Sequence, residues 1–310
     1  MELIPYKPLN RINPKVAIIL IQANQDTDDL IECLDSLNKI KYDNFYIVLV
    51  NNGVKDLKFK TLLIDYQYKF KMIFLRTNKN LGFAGGCNVG IKRALLEKPD
   101  FIYLLNSDTI VDEFFLINLI KFISNRKKIE LLGPVIMSCL DNKIESTGGL
   151  INIWRGEAPL INSKKEIDDL KGNYQKVDYI SGCALLIHSE IFKIVGLLNE
   201  EYFPGYYEDT EFCYRAKKQG IDSVCVFNSK IWHKGSKSFS KFSRNEKESI
   251  LIKNQVLFMF NNVNFFRFMI FFVHFILTYP FTDNFQNFRG KLKNISNSIL
   301  NMLKIKYFKK

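Results

Sequence analysis

Four apolar runs of strand length, each followed by a polar break, constrain this chain more than any other feature. They are "VAIILIQ" at 16–22, "FYIVLV" at 45–50, "KMIFLR" at 71–76 and "FIYLL" at 101–105. None shows the polar alternation of a half-exposed strand, so each reads as a strand buried on both faces. Between the first two, "DDLIECLDSLNKI" spaces Leu30, Ile31, Leu34 and Leu37 as one helical face. A second helix is expected over residues 85–96, between the third and fourth runs. Strands alternating with helices predict an α/β fold with a parallel, doubly wound sheet. Such sheets bind ligands beyond the carboxyl ends of their strands. Asn24, Asn51, Asn80 and Asp108 each fall just after a strand, so the sheet should gather them along one edge.

The fourth run ends abruptly, in "YLLNSDTIVD" at 103–112. Asp and Ser are good turn and cap residues, which is one reason for them to stand there. The other is that Asp108 holds a ligand at the sheet edge. Downstream, "ELLGPVIM" at 130–137 and "ISGCALLIHS" at 180–189 read as further strands, with "SKKEIDDLKGNYQK" between them as a charged, mobile loop. "YYEDTEFCYRAKKQG" at 206–220 reads as a helix that begins near Glu208 or Asp209 and stops at Gly220, burying Phe212, Cys213 and Ala216.

The stretch "GFAGGCNVG" at 82–90 contains no G-x-G-x-x-G and follows the third strand rather than the first. A dinucleotide fingerprint is therefore not supported. A loop whose backbone closely approaches a ligand fits better. The six cysteines stand singly, with no C-x-x-C pair, so neither a zinc site nor a redox motif is expected. Cysteines inside apolar runs behave as small hydrophobes and point to a reducing, cytosolic setting. The N-terminal "MELIPYKPLN" lacks the apolar core of a signal peptide.

Charge divides the chain near residue 236. The formal net charge is +12, and from residue 234 onward 14 Lys or Arg face 3 Asp or Glu, a net of +11. Phenylalanine is concentrated in the same segment. The expected organisation is a globular domain over 1–236, the catalytic domain of the resemblance given below, and a basic, Phe-rich helical segment over 237–310. The longest uncharged stretch there, residues 268–281, is shorter than the ~20 residues of a spanning helix. A helix lying in the plane of an anionic membrane surface fits that pattern, and a helix packed on the core is the alternative. Nucleic acid is not expected, because the aromatics form apolar blocks rather than interleaving with the basic residues.

Five motifs in order carry a resemblance: "NLGFAGGCNVGIKRAL", "YLLNSDTIVD", "YISGCALLIHSEIFKIVGLLNEEYF", "YYEDTEFCYRAKKQG" and "IWHKGS". Over residues 16–236 the chain resembles the inverting, metal-dependent family 2 glycosyltransferases, and among them the rhamnosyltransferase-like group. The resemblance implies the GT-A fold: a Rossmann-like, mostly parallel mixed sheet with flanking helices, here with a C-terminal helical segment added.

It also implies roles for particular residues. "NSD" stands where the family has its D-x-D element, so Asp108 would bind Mn²⁺ or Mg²⁺, with Asn106 in place of the first acid. A hard cation there neutralises the departing diphosphate. His233 matches a histidine that closes the metal site. Asp209 matches the general base, with Glu208 as the alternate. Gly182 would lie under the donor sugar. Asn24 and Asn51 would sit near the nucleotide base and ribose, and Asn80, Gly82 and Asn88 would line the donor site. The chain departs from the family at Asn51, where an Asp is common, and at Gln22-Ala23-Asn24, where Thr-Tyr-Asn is common. The expected partners are a nucleotide-sugar donor (dTDP-rhamnose or a UDP-sugar), a glycan or lipid-linked acceptor, and the inner face of the cell membrane. A homodimer is also among the expected assemblies. A catalytically degenerate scaffold, motivated by Asn51 and Asn106, and a sugar-phosphate nucleotidyltransferase are the alternatives. The second should carry a glycine-rich, Arg-containing loop after the first strand, and "IQANQDTDD" has none.

Overall fold

The computed structural model describes residues 13–23, 27–55, 68–235, 242–279 and 296. The four apolar runs form β1 (Val16–Gln22), β2 (Phe45–Asn52), β3 (Lys71–Thr77) and β4 (Phe101–Asn106). β1 pairs in parallel with both β2 and β4, and β2 with β3. The register aligns Gln22 with Asn51, and Ile21 with Asn106, so the carboxyl ends of the three central strands lie level. Further strands are β5 (Thr109–Val111), β6 (Glu130–Ser138), β7 (Ile144–Ser146), β8 (Tyr174–Val177), β9 (Ala184–His188) and β10 (Asp222–His233). The path through the sheet is β3-β2-β1-β4-β9-β6-β10-β5, with β7 on β6 and β8 on β10. β9 runs antiparallel to β4 and β6, which makes the sheet mixed. The charged loop before β9 contributes β8 and a short 3-10 turn at Ile167–Asp169.

The continuous apolar runs are explained by helices on both faces. Val16, Ile18 and Leu20 join one buried cluster, together with α1 (Asp28–Leu37) and α3 (Phe115–Ser124). Ala17 and Ile19 join a second, together with α2 (Gly82–Leu95) and α5 (Glu208–Lys218). Every second side chain goes to the same face, so a strand covered on both sides needs no polar positions. α2 begins three residues earlier than residue 85, because Gly82 adopts a φ of +73° that turns the chain into its first turn. Gly90 lets α2 lie close on β1: a Cβ there would come within 2.5 Å of Ile19. On α5, Phe212, Cys213 and Ala216 are fully buried, as the helical spacing predicts. A four-residue helix, α4 (Ile191–Ile194), follows β9.

The change of composition near residue 236 is not an end to packing. α6 (Arg244–Asn262) and α7 (Phe265–Thr278) build a third cluster with Tyr202 and Tyr207, through Ile252, Val256, Leu257, Phe258, Met259, Phe268, Phe271 and Phe275. α6 starts with a capping box, in which Ser243 and Glu246 each bond the other's backbone N–H. Among the described residues no helix is long and apolar enough to cross a membrane.

Candidate active site

The site begins where β4 ends. The peptide N–H of Asn106 donates to the Cys183 carbonyl at 2.9 Å, and the Ser107 hydroxyl donates to the Ile21 carbonyl at 3.0 Å. These bonds turn the chain, and Asp108 follows, 8% exposed. β5 then pairs antiparallel with β10, opposing Thr109 and His233, while the Lys234 N–H donates to the Asp108 carbonyl at 3.0 Å. Asp108 and His233, 125 positions apart in the sequence, are thereby neighbours. A bulge between Val226 and Lys230 sets β10 in this register. α3 clamps the bulge, as Asn118 donates to the Asn228 carbonyl at 2.6 Å and Ser229 to the Phe115 carbonyl at 2.9 Å.

His233 Nε2 lies 3.4 Å from Asp108 Oδ1. On its other side, Nδ1 lies 3.0 Å from both oxygens of Glu145, on β7. A carboxylate only accepts, so Nδ1 carries a hydrogen. Burial alone would lower the pKa of this ring, but the neighbouring carboxylates of Asp108 and Glu145 raise it to about 10. Nε2 is buried without a hydrogen-bond partner. An unpaired imidazole nitrogen beside a carboxylate oxygen, with a second carboxylate orienting the ring from behind, suits a divalent cation. Two donor atoms each about 2.1 Å from one ion lie about 3.0–3.4 Å apart, so the observed separation fits. Asp108 and His233 would hold the ion, and Glu145 would fix the histidine tautomer. No cluster of three His, Cys, Asp or Glu ligands occurs among the described residues.

The second half of the site lies across the β4–β9 junction. Gly182, one residue before Cys183, donates its N–H to Asp209 Oδ2 at 2.7 Å. The Thr210 N–H donates to Asp209 Oδ1 at 2.6 Å. Burial raises the Asp209 pKa against the lowering effect of these bonds. Asp209 is thus an oriented carboxylate with enhanced basicity. Two hydrogen bonds and one peptide unit connect Asn106 on the Asp108 side to Asp209. Glu208 is 6% exposed, and its Oε2 is buried without a partner. Its pKa is raised well above the usual carboxylate range by burial and then by the charge of Asp209.

The remaining expected residues divide. Asn80 Oδ1 caps Gly82 N–H at 2.8 Å and stands at the exposed rim with α2's first turn. Asn51 Oδ1 accepts from Val54 N–H at 2.8 Å and shapes the turn after β2. Asn88 is not brought to this edge. Its side chain accepts from Leu198 N–H at 3.1 Å and donates to the Leu198 carbonyl and to Glu200, both at 2.9 Å, so it fastens that loop to α2. Asn24 lies outside the described residues.

Sequence reasoning missed two residues. Glu145 carries no motif and is placed only by β7. Asn52 donates to Asn80 at 3.2 Å and to the Gly82 carbonyl at 2.9 Å, and accepts from Leu81 N–H at 2.9 Å. It organises the glycine-rich loop. The available signal was parity: Asn52 continues the face of Val48 and Val50, which is the face covered by α2.

The ten-stranded mixed sheet of the described residues, with helices on both faces, is a fold of the GT-A type. Solved structures agree at the level of fold. GalNAc-T7 with UDP, GalNAc and Mn²⁺ superposes with a TM-score of 0.66 at 16% identity, over 80% of this chain and 48% of that one. S. aureus TarS with UDP-GlcNAc gives 0.61 at 14% identity, over 93% and 81%. Residues 18–193 match the family described as glycosyl transferase family 2, and the chain belongs to that family. The low-salt glycan biosynthesis hexosyltransferase of Haloferax volcanii is 28% identical over 48% of this chain, which spans about half, 47%, of that relative. The dTDP-rhamnosyl transferase RfbF of Shigella flexneri is 25% identical over 72% of this chain and 70% of its own length.

Proposed function

We propose that the chain is an inverting, metal-dependent hexosyltransferase that builds a cell-surface glycan, with dTDP-rhamnose or a UDP-sugar as donor and a glycan or lipid-linked acceptor. The observation that carries the reading is the pairing of an unpartnered, buried His233 Nε2 with Asp108, across the sheet edge from an Asp209 fixed by the Gly182 amide. Asp108 and His233 would hold Mn²⁺ or Mg²⁺, whose charge would favour departure of the diphosphate.

The chain's own residues would do the rest. The α2 loop, with Asn80 and Gly82 organised by Asn52, presents backbone to the nucleotide, and Asn51, Asn106 and Gly182 line the donor edge. Asp209 removes the proton of the acceptor hydroxyl as that oxygen attacks the anomeric carbon from the face opposite the diphosphate. One base on one face yields inversion in a single displacement. Burial and the charge of Asp209 raise the Glu208 pKa, while the amides of Gly182 and Thr210 favour the charged form of Asp209.

α7 supplies the membrane contact in this reading. Its outer face exposes Phe265, Phe266, Met269, Ile270, Val273 and Leu277. With a net charge of +11 from residue 234 onward, that stripe suits the acyl boundary of an anionic bilayer, where lipid-linked acceptors reside.

The test pairs two variants in the full chain. Asp108→Ala is expected to abolish the Mn²⁺-dependent part of UDP or dTDP binding in calorimetry. Asp209→Asn is expected to keep that binding and lose at least about 10²-fold in turnover. Equal nucleotide affinity in Asp108→Ala and wild type, with and without Mn²⁺, rejects the metal assignment. Absence of any donor turnover in the wild type with Mn²⁺ favours a degenerate scaffold.

A further inference from the structure

The chain enters α5 by an unusual path. Tyr206 and Tyr207 have φ of 73° and 74°, a left-handed region that large L side chains rarely adopt. Two such residues in succession turn the backbone sharply just before Glu208 and Asp209. Conformations of this kind persist only where surrounding contacts over-determine them.

Those contacts come from α6. Asn254 is 0% exposed. Its Nδ2 donates to the carbonyls of Tyr202, Gly205 and Tyr206, at 3.1, 2.7 and 2.9 Å. Two amide hydrogens shared among three carbonyls dictate the orientation of the side chain. Its Oδ1 is left buried without a hydrogen-bond partner, a penalty that a space-filling residue would not incur. The neighbouring Lys253 donates its Nζ to the Phe203 carbonyl. Beside them, the Tyr207 hydroxyl donates to the Gly156 carbonyl at 2.7 Å, and its ring packs 5.7 Å from that of Phe258 on α6. The segment 202–206 is thus held by Lys253 and Asn254, consecutive residues of one helix, and that helix lies beyond residue 193, where the family match ends.

We infer that Asn254 is a positioning residue for sugar transfer, gathering the 202–206 carbonyls so that the left-handed entry to α5 aims Asp209 at the acceptor hydroxyl. The inference rests on the reading of Asp209 as general base. Asn254 acts through the loop, whose Pro204 carbonyl also accepts from the Phe83 N–H of α2 at 2.9 Å, so its loss should appear chiefly in turnover and only weakly in nucleotide binding.

A double-mutant cycle of Asn254→Ser and Asp209→Asn in the full chain tests this. Turnover is read as nucleoside diphosphate released from UDP-GlcNAc and from dTDP-rhamnose, and is normalised to UDP-binding sites counted by calorimetry with Mn²⁺. A misplaced base costs up to about 10²-fold. Asn254→Ser is therefore expected to lower kcat by at least ~10-fold, with UDP affinity changed less than about threefold. Added to Asp209→Asn it is expected to lower kcat no further, because residues acting through one group are non-additive. The same fold-loss in the Asp209→Asn background would show a merely structural role and overturn the inference. So would wild-type kcat in Asn254→Ser beside an inactive Asp209→Asn. Full turnover in Asp209→Asn refutes the base assignment itself. Should Asn254→Ser fail to fold, Lys253→Met loosens the same loop at Phe203, and an unchanged kcat there counts against the inference.

Discussion

The proton on His233 gives a prediction whose size follows from the geometry. With Nε2 3.4 Å from Asp108 and Nδ1 3.0 Å from Glu145, the ring carries both hydrogens at neutral pH, since its pKa is raised to about 10. A metal needs the Nε2 lone pair, so binding must expel one proton. At pH 7 the ring lies about three tenfold steps below its pKa, and expulsion costs roughly 4 kcal/mol. Mn²⁺ affinity should therefore rise about tenfold per pH unit between roughly pH 7 and 8.5. Calorimetry with saturating UDP, in buffers of different ionisation enthalpy, should count about one proton released per Mn²⁺ bound near pH 7. His233→Gln should bind Mn²⁺ more weakly and show neither the release nor the slope. Binding without proton release in the wild type, or an unchanged slope in His233→Gln, would refute the reasoning. The same linkage has a sign for folding. A raised pKa stabilises the fold fully below the ordinary histidine value of 6.5 and ceases to do so as pH rises toward about 10. Saturating Mn²⁺ should remove that decline in the melting temperature.

Three further outcomes are expected. Asn52→Ala removes the donors and acceptor that hold Asn80, Leu81 and Gly82, and should destabilise the protein by about 2–4 kcal/mol; urea titration measures this, and weaker UDP binding should accompany it. Glu208 has a folded pKa raised above its ordinary value by burial, so its stabilising contribution is present at acid pH and lost as pH rises. The melting temperature of Glu208→Gln relative to wild type should accordingly climb with pH above about 4.5, and a constant difference would contradict this. On α7, Phe266→Glu with Val273→Glu should reduce flotation on anionic liposomes at low salt without altering UDP affinity, and flotation equal to wild type would remove α7 from the membrane contact.

Much of the fold was legible in the chain. Runs such as "VAIILIQ" and "FIYLL" are apolar at every position because helices cover both faces of the strands they form, and that requirement is written locally. The helical face of α5 and the polar break at Asp108 are local in the same way. Asp108, His233 and Asp209 could be named because each stands in a motif. Glu145 could not, since it reaches His233 only after β7 pairs with β6 and the bulge in β10 sets the register. Asn52 was hidden behind Asn51, and only the packing of α2 on one sheet face separates their duties. The composition near residue 236 suggested a separate tail, yet α6 contributes Asn254 to the loop that leads into α5. Periodicity reports which face of an element is buried. Which distant element covers that face depends on strand order, register and helix docking, and these exist only once the whole chain has folded.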